Sequence, residues 1–245
     1  MSDSFHWPDF LPGFSRAAET AGFTRHTLVD TPDGPLCAWT RHGNGRHIYL
    51  SAGIHGDEPA GPAALLELMR DGFFQPDTCW TICPALNPGG LARGTREAPD
   101  GTDLNRDYWR QTTPVVRAHA RWLRTLPVPA LFLSLHEDWE TQGFYFYEIN
   151  LGPDQPARAN AILDRVNPVF PPEASDDIDN HQPRHPGWIY HQAEADMPEN
   201  WPEAIFLSKL GCPLSFTFET PSSAPLESRV AAHIAAVSAA LESVA

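Results

Sequence analysis

HIYLSAGIHGDEPAGPAALLELMR, residues 47–70, reads as a strand, a turn and a helix in immediate succession. His47–Ser51 is a short β-prone run, and from about Pro59 to Arg70 the apolar residues Leu65, Leu66 and Met69 recur at helical spacing. Between the two sit His55 and Glu58, three positions apart at a strand-to-helix turn, where positions i and i+3 come to one side. A strand that delivers polar residues at its carboxyl end and passes into a helix is the unit of an open α/β sheet.

The same alternation continues outward from this stretch. Thr27–Val29 and Leu36–Thr40 read as short strands, separated from their neighbours by the turn signals TPDGP and HGNG. Thr78–Cys83 is the next strand, followed by a Gly-, Pro- and Arg-rich loop from Asn87 to Asp107. Thr113 and Pro114 start a capped helix that runs to about Leu126, where PVP stops it. Ala130–Leu135 is a continuous apolar run of buried-strand type, Phe144–Tyr147 a second β-prone run, and Leu214–Phe218 the last strand. An alanine-rich helix over Pro225–Val244 closes the chain. The pattern predicts a three-layer α/β/α fold with a central mixed, mostly parallel twisted sheet, and residues 1–245 read as one domain without repeat or linker.

Composition narrows the function. With 245 residues and 42% hydrophobic content, the chain can bury one sizeable core. A net charge of −14 argues against nucleic acid or an anionic membrane as a partner, because both demand a basic footprint. Seven of the 17 basic residues nevertheless fall between Arg93 and Arg124. From Arg110 onward they read as the solvated face of a helix, which leaves Arg96 and Arg106 in need of another role. Met1–Phe14 has neither a basic n-region nor an apolar run, so neither signal peptide nor membrane span is expected, and the expected location is the cytoplasm. Cys37, Cys79, Cys83 and Cys212 are too few for a disulfide framework, and Cys79 and Cys83 would lie about 13 Å apart in one strand.

Three fragments carry chemistry: GIHGDEPAG at 53–61, SLHED at 134–138 and FTFET at 216–220. Each follows or closes a predicted strand. Together they supply the inventory of a hydrolytic zinc site, with His55, Glu58 and His136 as three ligands and Glu219 as a nearby free carboxylate. One HxxE is weak support, because His191 and Glu194 form a second copy in HQAE with no strong strand before it. His181, His185 and His191 offer donors for a second metal, though no strand or helix register organises them and exposed loop is the expectation. No GxSxG elbow or Cys–His context points to a serine or cysteine hydrolase.

From about residue 47 to 220, the order HGDE, NPGGLARGTREAPDGTDLNRDYW, SLHED and FTFET resembles the zinc carboxypeptidases of the carboxypeptidase A superfamily, the M14 metallopeptidases. The resemblance implies one Zn2+ per chain held by His55, Glu58 and His136. It implies that Arg96 polarises the scissile carbonyl, that Asn105 and Arg106 hold the terminal carboxylate of substrate, and that Asp103 hydrogen-bonds the first zinc histidine. Glu219 is then the general base. The chemistry of these residue types agrees. Neutral histidines and one carboxylate leave zinc enough positive charge to bring a bound water's pKa to about 7. Glu219 can take its proton and return it to the leaving amine. The fork of Arg106 matches a carboxylate in a way lysine cannot, and Asp103 would fix the orientation of His55.

Two departures bear on substrate. Where the family often has Asn-Pro-Asp-Gly, this chain has Asn87-Pro88-Gly89-Gly90, and the family's mobile tyrosine has no clear counterpart, with Tyr190 in GWIYH the candidate. The expected substrate is a small peptide, including murein-type peptides, or an acylated amino acid, in either case with a free carboxylate. Because the related aspartoacylase and succinylglutamate desuccinylase types add a β-domain after the base, and 26 residues follow Glu219 here, the peptidase reading is favoured over the deacylase. A non-catalytic peptide-binding module is disfavoured by the presence of Glu219.

Overall fold

A computed structural model describes residues 5–244, so the first four residues of the Met1–Phe14 segment and the terminal Ala245 lie outside it. The chain opens with α1 (Trp7–Thr20), β1 (Thr24–Val29), β2 (Leu36–Arg41), β3 (His47–Ala52), α2 (Ala60–Arg70), β4 (Cys79–Cys83) and α3 (Pro88–Arg93). A 3-10 turn at Leu104–Arg106 precedes α4 (Pro114–Leu123), β5 (Leu131–Asp138), β6 (Tyr145–Asn150) and α5 (Pro156–Val166). The chain closes through β7 (Trp188–His191), α6 (Glu203–Lys209), β8 (Leu214–Pro221) and α7 (Leu226–Glu242).

The eight strands form one mixed sheet in the order β1-β2-β4-β3-β5-β8-β6-β7. Its centre, β4-β3-β5-β8, is parallel; β2 and β6 join it antiparallel, β1 pairs antiparallel with β2, and β7 runs parallel to β6. Alternation along the central strands sends Leu131, Leu133, Leu135, Phe216 and Phe218 into a core covered by α1, α2, α5 and α7. The opposite face packs Tyr49 and Phe132 against Val116, Ala120 and Leu123 of α4 and Phe206 and Leu207 of α6. Helices therefore cover both faces, and the expected α/β/α layering and mostly parallel sheet are present. No described helix is long and apolar enough to cross a membrane.

Helices α1, α3, α5 and α6 and strand β7 have no counterpart among the elements expected from sequence. In α1 the prolines at 8 and 12 mask a regular stripe: Trp7, Phe10, Phe14 and Ala18 are all buried. Likewise α5 buries Ala159, Ile162, Leu163 and Val166 at helical spacing within a Pro- and Asp-rich region. Strand β7 has only four residues and little intrinsic strength, and it exists because it hydrogen-bonds in parallel along β6.

Candidate active site

One candidate metal ligand and the candidate base come from strand ends locked in register. His136 on β5 pairs directly with Glu219 on β8, and Glu219 pairs in turn with Tyr145 on β6. In-register neighbours point to the same side of a sheet, so all three share the α4/α6 face at the carboxyl ends of β5 and β8. His55 and Glu58 reach the same point from the turn between β3 and α2. That turn requires its glycine: a Cβ on Gly56 would lie 1.9 Å from the backbone carbon of Gly90. The close approach lets the Gly56 N–H donate to the Thr95 carbonyl at 3.0 Å, tying the ligand turn to the loop that carries Arg96.

His55, Glu58 and His136 are all buried, and their ligand atoms lie within 4.8 Å of one another. His55 Nδ1 is 2.6 Å from Glu58 Oε1, and His136 Nδ1 is 3.0 Å from Glu58 Oε2. Glu58 Oε2 is nonetheless a buried oxygen without a hydrogen-bond partner. On its far side, His55 places Nε2 at 3.2 Å from Asp103 Oδ1. A carboxylate only accepts, so this contact puts the ring proton on Nε2 and leaves the Nδ1 lone pair facing Glu58. Two imidazole nitrogens converge on one carboxylate, and at His55 a lone pair faces an oxygen that also only accepts; this is the donor set of a divalent transition ion. The residues fit the zinc that the resemblance implies.

Electrostatics support that fit. Burial alone would lower the His55 pKa, but the charge of Glu58 and the hydrogen bond to Asp103 outweigh it and raise the group to about 9. Burial works against ionised Glu58 too, yet His55 and His136 hold its carboxyl well below the ordinary range. Without a cation, a proton on His55 fills the gap, so metal binding displaces that proton. Glu219 behaves oppositely: burial first, then the charge of Glu58, pushes its carboxyl well above the ordinary range.

Arg96, Asn105, Arg106 and Glu219 line one cavity of about 630 Å³ together with His55, Glu58 and His136. Arg96 Nη2 lies 3.3 Å from Asp103 Oδ2 and Nη1 lies 3.5 Å from Glu58 Oε1, which holds the guanidinium beside the metal ligands. Asp103 also caps the 3-10 turn by accepting from the Asn105 N–H at 2.8 Å. Asn105 is fixed from the other side, its Oδ1 accepting the backbone N–H of Glu203 at 3.0 Å. The Asn87 side chain caps α3 by accepting from the Gly90 N–H at 2.8 Å and donates to the Arg96 carbonyl at 3.3 Å. In this chain the NPGG segment thus supports the arginine loop through Asn87.

Tyr190 is not part of this cavity. Along β7 it alternates with His191, and its ring turns to the opposite face of the sheet, beside Trp188 and under the Arg184 guanidinium. The one-residue step of a strand explains the correction: His191, which pairs with Ile149, faces the cavity in its place. Glu194, the other half of the second HxxE, points away and pairs with Lys209. Glu203 and the tyrosines of the Phe144–Tyr147 run are site residues that the sequence did not single out. Tyr145 and Tyr147 line the cavity, alternating with Phe144 and Phe146 in the core. That hydroxyl-bearing/apolar alternation in FYFY was a usable signal; Glu203, capping Asn105 from a distant segment, left none.

Residues 44–243 match the succinylglutamate desuccinylase/aspartoacylase catalytic domain. The chain belongs to that family. No curated protein shows significant sequence similarity to it. Among solved structures, a "putative metallopeptidase" of Shewanella amazonensis superposes with a TM-score of 0.83 at 24% identity, covering 96% of this chain and 92% of that one. A similarly described protein of Shewanella denitrificans gives 0.83 at 22% identity, covering 96% and 88%. A metallo-carboxypeptidase of Burkholderia cenocepacia gives 0.70 at 17% identity, covering 98% and 69%. At these identities the likeness is one of fold: the sheet and layers are those of the metallocarboxypeptidases.

Proposed function

We propose that the protein is a zinc-dependent hydrolase that cleaves an amide bond next to a free carboxylate, with a small peptide as substrate. The observation that carries this reading is the convergence of Arg96, Asn105, Arg106 and Glu219 on the cavity that holds the His55–Glu58–His136 cluster. Zinc bound there would supply Lewis acidity and an acidified water.

The chain's own groups then divide the remaining work. The planar guanidinium of Arg106 offers two parallel donors to a substrate carboxylate. Asn105 has its Oδ1 occupied by Glu203, which leaves its amide N–H groups free to donate to the same carboxylate. Arg96, held between Asp103 and Glu58, is placed to stabilise charge on the carbonyl oxygen. Glu219, paired in register with His136 and lining the same cavity, can take the water's proton and return it to the leaving amine. A cavity of about 630 Å³, with Trp139 and Met197 exposed among its lining residues, accommodates more than a single acylated amino acid.

A second reading, an N-acyl amino acid deacylase, is supported by the family match over residues 44–243. A panel of dipeptides, murein-type peptides and N-acyl amino acids assayed with the zinc-loaded protein separates the two. Cleavage of peptides is expected; cleavage confined to N-acyl amino acids would overturn the peptide assignment. Glu219→Gln is expected to retain zinc while losing about 10²- to 10⁴-fold in turnover.

A further inference from the structure

The wall of the cavity carries a second convergence of metal-ligating atoms, outside the cluster described above. His181 Nε2 and His191 Nε2 lie 3.4 Å and 3.3 Å from the same oxygen, Asp196 Oδ1. The three ligand atoms all lie within 4.8 Å of one another, and all three residues line the cavity. The imidazole side chains are mostly covered, at 21% and 14% exposure, while Asp196 reaches in from the exposed side.

The far sides of the two rings decide what this arrangement needs. His181 Nδ1 is 2.7 Å from the Asp179 carbonyl, and His191 Nδ1 is 2.6 Å from the Gln192 carbonyl. A carbonyl oxygen can only accept, so each ring donates from Nδ1. In the neutral imidazole this leaves a bare lone pair on each Nε2. Both lone pairs then face a carboxylate oxygen that also can only accept. Three acceptors directed at one point repel unless something positive lies between them, either a proton on each ring or one shared cation. Backbone carbonyls that fix the Nδ1–H tautomer are the usual outer support of metal-binding histidines.

We propose that His181, His191 and Asp196 form a second divalent-cation site on the wall of the active cavity, with the imidazole-rich donor set that suits zinc. Three protein donors leave coordination positions open toward the cavity. A cation held there would offer those positions to a carboxylate or carbonyl oxygen of a molecule bound in the cavity. His185, the third histidine of the segment, stays outside the cluster, with Nδ1 against its own Pro186 carbonyl. The stoichiometry is then two metal ions per chain instead of one.

The test is metal counting on the full chain without a histidine tag. Protein stripped with a chelator is titrated with Zn2+ or Co2+, and bound equivalents are measured by mass spectrometry after dialysis and by competition with a chromophoric chelator. Two equivalents are expected for the wild type and one for His191→Ala, with Asp196→Asn weakening the second equivalent at least tenfold. His55→Ala should lose the other equivalent and keep this one, which separates failure of the second site from failure of the catalytic one. A wild type that binds one equivalent, lost in His55→Ala and retained in His191→Ala, overturns the proposal. So does a second equivalent that survives His181→Ala, His191→Ala and Asp196→Asn alike.

Discussion

Glu203 is the residue whose replacement tests most directly how the sheet supports the site. Its side chain is buried, at 1% exposure, and its backbone N–H donates to Asn105 of the 3-10 turn. One oxygen accepts from the Tyr49 hydroxyl at 2.6 Å and the other from the Ser51 hydroxyl at 2.7 Å. Among the described residues its neighbour at ion-pair range is His119, 4.0 Å away. Burial lowers the His119 pKa to about 3, so that ring is neutral. A carboxylate with only hydroxyl donors resists ionisation: burial, partly offset by Tyr49 and Ser51, raises the Glu203 pKa to about 7 from an ordinary 4.5. The folded state therefore binds this proton more tightly than the unfolded state. Its contribution to stability is full below about pH 4.5 and is lost as pH rises through about 7. At about 1.4 kcal/mol per pH unit the total is roughly 3 kcal/mol, of which about 2.5 kcal/mol falls between pH 5 and pH 8. Glu203→Gln keeps the shape, leaves the backbone N–H that caps Asn105, and removes the titration. In denaturant titrations, the variant should gain about 2.5 kcal/mol on the wild type between pH 5 and pH 8, or roughly 5–10 °C in Tm. A difference between the two proteins that stays constant over that range would show that Glu203 is ionised throughout, and the reasoning from burial would fail.

Other substitutions probe the rest of the site. Asp103→Ala should weaken metal binding about 10- to 100-fold, read by chelator competition, because His55 loses the acceptor that sets its tautomer. Gly56→Ala forces a methyl group into the backbone at Gly90 and should cost about 1–3 kcal/mol in chemical denaturation; a wild-type midpoint would mean that the ligand turn is looser than the contact implies. Tyr190→Phe should leave both kcat and KM of the cleaved substrate within about twofold of wild type, since the ring lies on the far face of the sheet and surface changes cost little. A large rise in KM there would place the tyrosine in the substrate path after all.

The parallel centre of the sheet was legible because buried strands such as Leu131–Leu135, apolar but for Ser134, read as near-continuous apolar runs that end in polar residues. For the same reason the placement of His55, His136 and Glu219 at strand ends followed from local pattern. What escaped was whatever depends on partners distant in sequence. Strand β7 needs β6 to exist, α1 hides its stripe behind two prolines, and Glu203 reaches Asn105 across 98 positions. Tyr190 differs from expectation by one position: only the pairing of Glu148 with Tyr190 and Ile149 with His191 decides which residue of β7 faces the cavity.

The in-register row His136–Glu219–Tyr145 has a consequence for how such a protein can diversify. Bond cleavage is assigned to groups clamped between hydrogen-bonded strands, where a single inserted residue would turn a catalytic side chain into the core. Asp179, His181 and Asp196, by contrast, hang from the segments between α5 and β7 and between β7 and α6, where insertions and exchanges are tolerated. The two halves of the cavity can therefore change independently of each other. Lineages can rewrite what the protein admits by trading one stretch of surface chain, while the machinery beneath stays under the sheet's arithmetic.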